Sequence, residues 1–346
     1  MGRLQLRRGV VVSADPLEVD VDGERRRTWA DEAMVGEMRE GDEVVVNVAA
    51  LDLGLGSGGF DVVHVNLTRG LGGEAEGNAH VMKLNYTSLQ HPVEPVEGKG
   101  IQLFLSGPEQ EKGTDERMGG VRVAVLPLHG HLAPAAWAAA QAAPGLRVGY
   151  VQTGGGALPG SLSRDVKELR ERGLLAGHVT ASPAYGGEHE ALSTVGALDA
   201  AATLGWDAAL VGPGPGIIGS DTAYGHGGMA ALDSAHAALS LDLPTAISPR
   251  LSSADPRDRH RGLSHHTRTV LDLLLAPVDL PIPDESQELF AHLADSKHRL
   301  HPVPVDLESY SASGLPVSTM GRSISEDPLF FESPLAAGTF LARVAS

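Results

Sequence analysis

Several side chains that can transfer protons follow apolar runs of this chain. The candidate catalytic groups are His129, His131, Glu188, Asp221 and His226. Imidazoles and carboxylates act as general acids and bases when their surroundings tune their pKa values. If the runs are parallel strands, the residues that follow them meet at one edge of the sheet. We therefore expect these groups to share a ligand, although turn and capping chemistry alone also explains the carboxylates.

His129 and His131 flank a glycine directly after an apolar run. Residues two apart on an extended chain face the same side, so the two imidazoles could share a divalent ion such as zinc. Further ligands would come from His226, His265 or Asp221. The chain has no HExxH motif, and its 15 histidines make chance pairs common. Hydrogen bonding to backbone or substrate is the alternative, and the sequence identifies no metal and no cofactor.

Glycine-rich loops form the second part of the predicted site. Bare backbone N–H groups before a helix can hold an anion, and a threonine hydroxyl can donate to a phosphate oxygen. The candidate binding residues are Gly154, Gly155, Gly156, Gly212, Gly214, Gly216, Gly219 and Thr222. Tight turns that need glycine are the structural alternative. The arginines within 255–261 and the histidines at 265–266 could also reach an anion.

Known nucleotide and hydrolase motifs fit this chain poorly. Gly214, Gly216 and Gly219 match G-x-G-x-x-G, but Pro213 and Pro215 remove two donors and no acidic residue ends the following strand. Because no G-x-x-x-x-G-K-[ST] occurs, ordinary P-loop chemistry is excluded. The absence of a G-x-S-x-G elbow argues against an α/β-hydrolase with a serine nucleophile.

Composition restricts the partners. The 346 residues carry a formal charge of −17, which would repel nucleic acid and anionic lipid. Without cysteine, disulfides and thiolate metal sites are excluded. No segment has the length of a membrane span, and the apolar run at residues 10–12 is too short for a signal peptide. We therefore expect a cytoplasmic protein that binds neither nucleic acid nor membrane.

The elements that must position these residues indicate an α/β protein with a small N-terminal β-barrel followed by a doubly wound, mostly parallel sheet. Residues 1–69 form the predicted barrel, 70–118 a linker that packs on the domains, and 119–346 the ligand-binding domain. The barrel strands are expected at 9–13, 17–21, 24–28, 43–48 and 60–67.

From residue 120 onward, apolar runs alternate with helical stretches, the pattern of βαβ units. The predicted strands are 121–128, 146–152, 178–181, 208–211, 244–247 and 278–282. The predicted helices are 134–143, 162–172, 188–204, 229–241, 265–276, 285–298 and 333–344. Ser264 and Ser333 are the expected N-caps, the latter with Pro334 at the first helical position, and Gly173 and Gly205 should follow helix C-termini.

Four long segments carry a resemblance to a known family. They are HVMKLNYTSLQ, TGGGALPGSLS, HVTASPAYGGEHEAL and ALVGPGPGIIGSDTAYGHGGM. The resemblance keeps their order and covers most of the chain. These segments resemble a DUF3866-like family of uncharacterised actinobacterial and firmicute proteins. The resemblance implies one functional unit of bacterial origin and no particular reaction. Similar proteins have a GHAFGGD-like sequence where this chain has SPAYGGE. The loop of this chain therefore lacks the histidine of that motif.

The function predicted from these patterns is binding of a small anionic molecule, a nucleotide or phosphorylated metabolite, at the carboxyl edge of the sheet. A hydrolase or a transferase would fit such a site. In the alternative, the protein is a non-catalytic ligand sensor or an interaction module that docks through its barrel. Whether it is an enzyme, which substrate it uses and whether it forms a homo-oligomer stay open.

Overall fold

A computed structural model describes residues 3–55, 57–73, 77–98, 120–220, 222–293 and 295–343. The chain forms two compact units, Met1–Gly77 and Asn78–Ser346. Each unit has a hydrophobic core of its own.

In its described residues, the first unit is a closed barrel of five strands in the order β1-β2-β3-β5-β4. The strands are β1 (Leu6–Ala14), β2 (Leu17–Val21), β3 (Glu24–Trp29), β4 (Glu43–Asn47) and β5 (Asp61–Asn66), with short helices α1 (Glu32–Val35) and α2 (Ala49–Asp52). Alternate valines such as Val19, Val44 and Val46 fill the interior. Such alternation is what a strand with one buried face requires, and the predicted barrel is confirmed.

The second unit contains, among the residues described, an eight-stranded sheet in the order β11-β10-β9-β12-β8-β13-β16-β17. Every pair of neighbours is parallel. Its strands are β8 (Arg122–Val125), β9 (Val148–Thr153), β10 (Gly177–Ala181), β11 (His189–Ala191), β12 (Ala208–Pro213), β13 (Thr245–Ile247), β16 (Asp279–Pro283) and β17 (Arg299–Val303). The α/β prediction is confirmed.

Helices cover both faces of this sheet. Successive residues of each strand point to opposite faces, so apolar strands present side chains to the helices on both sides. Val123 and Val125 belong to one core, whereas Ala124 and Leu126 belong to the other. The helices on the first face are α5 (Thr194–Thr203), α6 (Ala230–Ser240) and α7 (His265–Leu273); those on the second are α3 (Leu132–Ala142), α4 (Arg164–Glu171) and α9 (Pro328–Arg343). A short helix, α8 (Leu307–Ser311), packs beside α3 and α9.

In the described ranges, the second unit also contains three small pairs of antiparallel strands. They are β6 (Val81–Lys83) with β7 (His91–Val93), β14 (Leu251–Ser252) with β15 (Gly262–Leu263), and β18 (Ser318–Thr319) with β19 (Arg322–Ser323). The β14-β15 pair holds the loop between β13 and α7, which carries residues 253–261.

Local signals are confirmed at three helix ends. The Ser264 hydroxyl accepts a hydrogen bond from the His266 backbone N–H at 3.2 Å, as an N-cap does. Gly173 and Gly205 follow the ends of α4 and α5 with φ of +69° and +73°, a conformation that glycine adopts without strain.

Three helix predictions are wrong in informative ways. Residues 189–191 form an edge strand, and the helix predicted from 188 begins only at Thr194. Residues Asp284–Leu293 form 3₁₀ turns, after which β17 starts at Arg299. The last helix begins at Pro328, so Ser333 and Pro334 lie inside it rather than at its start. Ser333 donates instead to the Pro249 carbonyl in the core.

Candidate functional site

A cavity of about 520 Å³ opens at the carboxyl ends of β8, β12 and β13. The chain leaves β8 toward β9 on one side and later returns to build β13 on the other. Ligands of open α/β sheets commonly bind at such a reversal of strand order. The described side of the cavity is formed by Leu128, His129, Gly130, Gly216, Ile217, Ile218, Gly219, Thr222, His226, Arg250, Arg257, Arg259, His260, His265, His266, Thr319, Met320 and Phe330.

Close approach of glycine backbones holds the two glycine-rich loops together. A Cβ on Gly227 would lie 1.9 Å from the Gly155 carbonyl oxygen, and one on Gly156 would lie 2.1 Å from that of Gly214. Ala157 N–H also donates to the Pro215 carbonyl at 2.8 Å. Larger side chains at these positions would push the loops apart. The glycines therefore have a packing role beside any contact with a ligand.

The predicted binding glycines fall into three places. Gly216 and Gly219 line the main cavity, whereas Gly154 and Gly155 line a neighbouring cavity of about 410 Å³. His226 borders both cavities. Of the remaining predicted glycines, Gly156 packs against Gly214, and Gly212 and Gly214 pack against the Leu126 and Ala157 carbonyls.

An arginine cluster around Asp255 forms the charged wall of the cavity. Asp255 is fully buried and accepts hydrogen bonds from Arg257 Nε and Nη2, both at 2.9 Å, and from Arg250 Nη2 at 3.4 Å. Arg322 Nη2 lies 3.7 Å from the same carboxylate. Burial alone would raise the pKa of Asp255, but hydrogen bonds from Arg257 hold it well below the usual range. Asp255 is thus a permanent anion that orients the arginines.

Four imidazoles from three segments pack beside this wall. The rings of His226 and His266 are stacked with centroids 3.5 Å apart, and the His265 ring centroid lies 4.4 Å from that of His266. His260 lies 4.7 Å from His266 and 4.8 Å from His265. His226 follows the β12 loop, whereas His265 and His266 open α7. The cluster is therefore a product of the tertiary fold.

The ring nitrogens in this cluster are incompletely satisfied. His226 Nε2 lies 3.0 Å from the Ala223 carbonyl oxygen, which can only accept, so this nitrogen carries the proton. Its Nδ1 then presents a lone pair, and it is buried with no hydrogen-bond partner among the described residues. Nε2 of His265 is likewise buried and has no partner in the part of the chain that the structure describes. Such groups are unfavourable unless a ligand completes them.

Burial keeps these imidazoles neutral. It lowers the pKa of His266 to about 2 and that of His260 to about 3, with neighbouring positive groups adding to the effect. The pKa values of His226 and His265 are also lowered, again chiefly by burial. Imidazoles with so little affinity for protons are weak general bases near neutral pH. They can still act as ligands and as hydrogen-bond donors or acceptors.

His129 lines the cavity, and protein groups occupy both of its ring nitrogens. Its Nδ1 lies 3.2 Å from the Pro213 carbonyl, to which it donates, and its Nε2 accepts from the Ser163 hydroxyl at 2.8 Å. Burial lowers the pKa of His129 to about 4. Tyr150 packs edge-on against the ring and donates to the Pro213 carbonyl at 2.9 Å.

The prediction that His129 and His131 share a face is wrong. Residues His129–His131 form a 3₁₀ turn, in which residues two apart point in different directions. His131 is fully buried, contacts the Ser248 hydroxyl at 2.9 Å through Nδ1 and packs edge-on against Phe330. It does not line the cavity, so the two imidazoles are not placed to coordinate one ion together.

Acid should destabilise the protein through its buried histidines. Burial lowers the pKa of His131 from 6.5 to about 3, so below about pH 6.5 the unfolded chain binds a proton that the folded chain excludes. The free energy of unfolding should therefore fall between pH 6.5 and 4, by up to about 1.4 kcal/mol per pH unit for this residue. His131→Asn retains a partner for Ser248 but does not titrate. Urea unfolding across this range should give a smaller pH slope for His131→Asn.

The exposed His80 supplies the control for that experiment: His80→Asn replaces a surface histidine by the same residue type. The pH slope of His131→Asn is to be compared with the slopes of the wild type and of His80→Asn. An equal slope for His131→Asn and wild type would contradict the assignment of a neutral buried imidazole.

Of the remaining predicted residues that the structure describes, Thr222 borders the cavity and Glu188 does not. Glu188 lies on the surface, where it pairs with Arg170 at 2.8 Å, and it lines neither cavity. Thr222 is exposed on the rim, and its hydroxyl accepts from Gly225 N–H at 3.0 Å within its own turn. Asp221 lies outside the described residues.

Arg250 and His260 belong to the cavity but are not singled out by the sequence patterns. Arg250 follows β13 without a motif, and His260 lies within a mixed-charge loop that also fits a solvated surface. A usable signal was the density of basic residues: seven arginines and histidines occur between 257 and 268 in a strongly acidic chain.

Fold and site together define an α/β protein with a histidine- and arginine-lined cavity at the carboxyl edge of a parallel sheet. Residues 27–338 match the family described as "Protein of unknown function (DUF3866)". Because the match spans most of the chain, the protein belongs to this family. No curated protein and no solved structure matches the chain. Among the helices described, none is sufficiently long and apolar to span a membrane.

Proposed function

We propose that the α/β unit binds a small molecule bearing a phosphate or carboxylate group in the cavity at the ends of β8, β12 and β13. One observation carries the proposal. In the described lining, three arginines and five histidines surround the space, and aspartate and glutamate are absent, although the whole chain carries a charge of −17. A concave surface lined by guanidinium groups favours anions even on an acidic protein.

Arg250 and Arg257 are suited to this role by their fixed positions. Arg250 is 3% exposed, and both side chains share the buried carboxylate of Asp255. Burial lowers the pKa of Arg250 to about 10, so its guanidinium remains charged at neutral pH. Guanidinium groups recognise phosphate and carboxylate through paired N–H donors. Because Asp255 orients them beforehand, a ligand would meet little entropic cost of ordering them.

Arg259 and the imidazoles would complete the recognition. Arg259 extends from the exposed loop between β14 and β15, where it borders the opening. The glycine-rich 216–219 segment also lines the cavity, and its glycines allow backbone N–H groups to approach a ligand closely. A nucleotide or phosphorylated metabolite has a size compatible with about 520 Å³.

Titration with inorganic phosphate and with pyrophosphate tests the proposal. Both anions should raise the unfolding temperature, since a ligand at 100 times its Kd adds about 2.7 kcal/mol to the free energy of unfolding. Arg259→Gln should weaken calorimetrically measured binding by about tenfold or more, because a hydrogen bond to a charged group is worth about 1.5–3 kcal/mol. Arg261→Gln is the matched control: Arg261 is exposed in the same loop but does not line the cavity.

Equal affinities in Arg259→Gln, Arg261→Gln and the wild type would place the anion elsewhere and overturn the proposal. Failure of both anions to bind at millimolar concentration would do the same. Retained binding in Arg261→Gln together with loss in Arg259→Gln supports it.

A further inference from the structure

We propose that His226, His265 and His266 form a binding site for one divalent transition-metal ion of the zinc class, at the wall of the anion cavity. Each offers a ring nitrogen, and the three nitrogens lie within 4.8 Å of one another. The inference concerns the same cavity as the proposed function but does not depend on the anion.

The distances between the three ring nitrogens are compatible with a metal site whose ligands have not closed around an ion. Zinc–nitrogen bonds of about 2.0–2.1 Å place the ligand atoms of a tetrahedral site about 3.3 Å apart. Closing the triad from 4.8 Å therefore takes movements of about 1.5 Å, within the reach of side-chain rotation. His265 is half-buried and can adjust, whereas His226 and His266 are buried.

The orientation of His226 is typical of a metal ligand. Metal-bound histidines usually donate their second ring N–H to a carbonyl or carboxylate, which fixes the tautomer. His226 does so through Nε2 and the Ala223 carbonyl, at 3.0 Å. Its other nitrogen, Nδ1, is buried and finds no partner among the residues that the structure describes, in a side chain that is only 7% exposed. An ion at Nδ1 would satisfy this atom.

Space beside two of the nitrogens is kept open by Gly228. A Cβ on this residue would lie 3.0 Å from His226 Nδ1 and 3.3 Å from His266 Nδ1. Arg250 Nη1 lies 3.3 Å from His266 Nδ1, so this nitrogen also presents a lone pair. An ion would take the place of that long hydrogen bond, and Arg250 would keep its bond to Asp255.

The chemistry of the donors selects the ion. Three neutral imidazoles suit zinc, copper or nickel and suit magnesium or calcium poorly. Imidazoles must offer a lone pair to bind a metal, and the hydrogen bonds of His226 and His266 leave one on Nδ1 of each ring. Three protein ligands leave a position for water or a ligand oxygen, the arrangement of catalytic rather than structural zinc sites.

The test uses the full chain after dialysis against EDTA. Zinc should bind with one ion per chain, and cobalt(II) should give visible absorption bands of a four- or five-coordinate site. His226→Asn and His265→Asn should weaken zinc binding by more than about 100-fold, since losing even an outer-shell partner costs about 10–100-fold. His189→Asn is the control, because this half-exposed histidine lies on β11 away from the triad.

Gly228→Ala provides a variant that retains all three ligands. Its methyl group would enter the space beside the two Nδ1 atoms and should weaken zinc binding by about tenfold or more while the circular dichroism spectrum is unchanged. If a histidine variant fails to fold, this variant and the wild-type titration still decide the question.

Absence of zinc and cobalt binding by the wild type overturns the metal site. So does equal affinity in the wild type, His226→Asn and Gly228→Ala. Phosphate titration of the metal-free protein distinguishes the two proposals: binding that depends on Arg259 but not on added zinc supports the anion cavity and leaves the zinc titration to decide the metal site.

Discussion

Replacing Asp255 with asparagine should lower the free energy of unfolding by about 3–5 kcal/mol, the usual cost of removing one partner from a buried charge cluster. Asp255 is completely buried and neutralises Arg250, itself 3% exposed. Asparagine has nearly the same shape, so the loss would come from charge rather than packing. Its amide would also turn an N–H donor toward guanidinium groups that need acceptors. Urea unfolding followed by tryptophan fluorescence measures the change.

Asp258→Asn is the matched control for this experiment. Asp258 lies in the same loop with a side chain that is 94% exposed, and its ion pair with Arg261 spans 3.5 Å. Such surface pairs contribute little, so this variant should remain within about 0.5 kcal/mol of the wild type. Similar losses in both variants would contradict the role assigned to Asp255.

Asp255→Asn should also affect phosphate binding. With the central carboxylate gone, Arg250 and Arg257 would repel one another and lose their shared anchor. We expect a weaker affinity for phosphate in the folded variant, measured by calorimetry at a temperature well below its unfolding transition.

The second large effect is expected at Lys83, where Lys83→Met should cost about 3–5 kcal/mol. Lys83 is 2% exposed, and its ammonium group donates to the Thr180 carbonyl at 2.8 Å, to the Ala184 carbonyl at 2.7 Å and to Glu190. Burial lowers the pKa of Lys83, while the Glu190 carboxylate favours its charged form. Methionine would fill the space but leave three acceptors without their donor.

A double variant separates charge from packing at this position. Glu190→Gln in the Lys83→Met background removes the uncompensated carboxylate and should restore about 1 kcal/mol or more. Lys167→Met is the control, because Lys167 is exposed. This variant would lose only a surface ion pair with Glu171, whose charged atoms lie 4.0 Å apart. A loss for Lys83→Met no larger than that for Lys167→Met would contradict the stabilising role assigned to the buried Lys83 ammonium group.

The contacts of Glu190 also explain a failed prediction. Residues 188–190 look like the first turn of a helix, since acidic side chains are favoured there. In the structure Glu190 accepts hydrogen bonds from Thr180 Oγ1 at 2.8 Å and Gly186 N–H at 2.6 Å, besides the one from Lys83. These partners hold the segment as edge strand β11 beside β10. The bond from Lys83, 107 positions away, and the pairing with β10 outweigh the local preference.

Much of the fold was readable from local pattern. Strands buried on both faces of a parallel sheet need continuous apolar runs, and the runs at 146–152 and 208–211 correspond to β9 and β12. Capping at Ser264 was equally local, because a side chain needs only its own backbone neighbours. Strand β17 (Arg299–Val303) was missed because, at the sheet edge, most of its residues are partly exposed and its sequence lacks an apolar run.

The candidate site was only partly predictable, for a different reason. The loop sequence points to His226, but its ring partners His265 and His266 are more than 30 residues away, and Arg250 has no motif. Glu188 was predicted from the shared edge, yet it pairs with Arg170 on the surface. A common sheet edge is necessary for such residues to meet, but it does not decide which loops touch.

By itself, then, the sequence determined the two units' strand-forming runs, the parallel character of the second sheet and the loops in which its polar groups lie. Those properties depend on hydrophobic periodicity and short-range hydrogen bonds. Only the tertiary structure decided that β12 and β13 flank β8, which brings His226 to His265 and His266 and sets Arg250 on Asp255. Strand order depends on the packing of the whole core, so no local segment of this chain encodes the site.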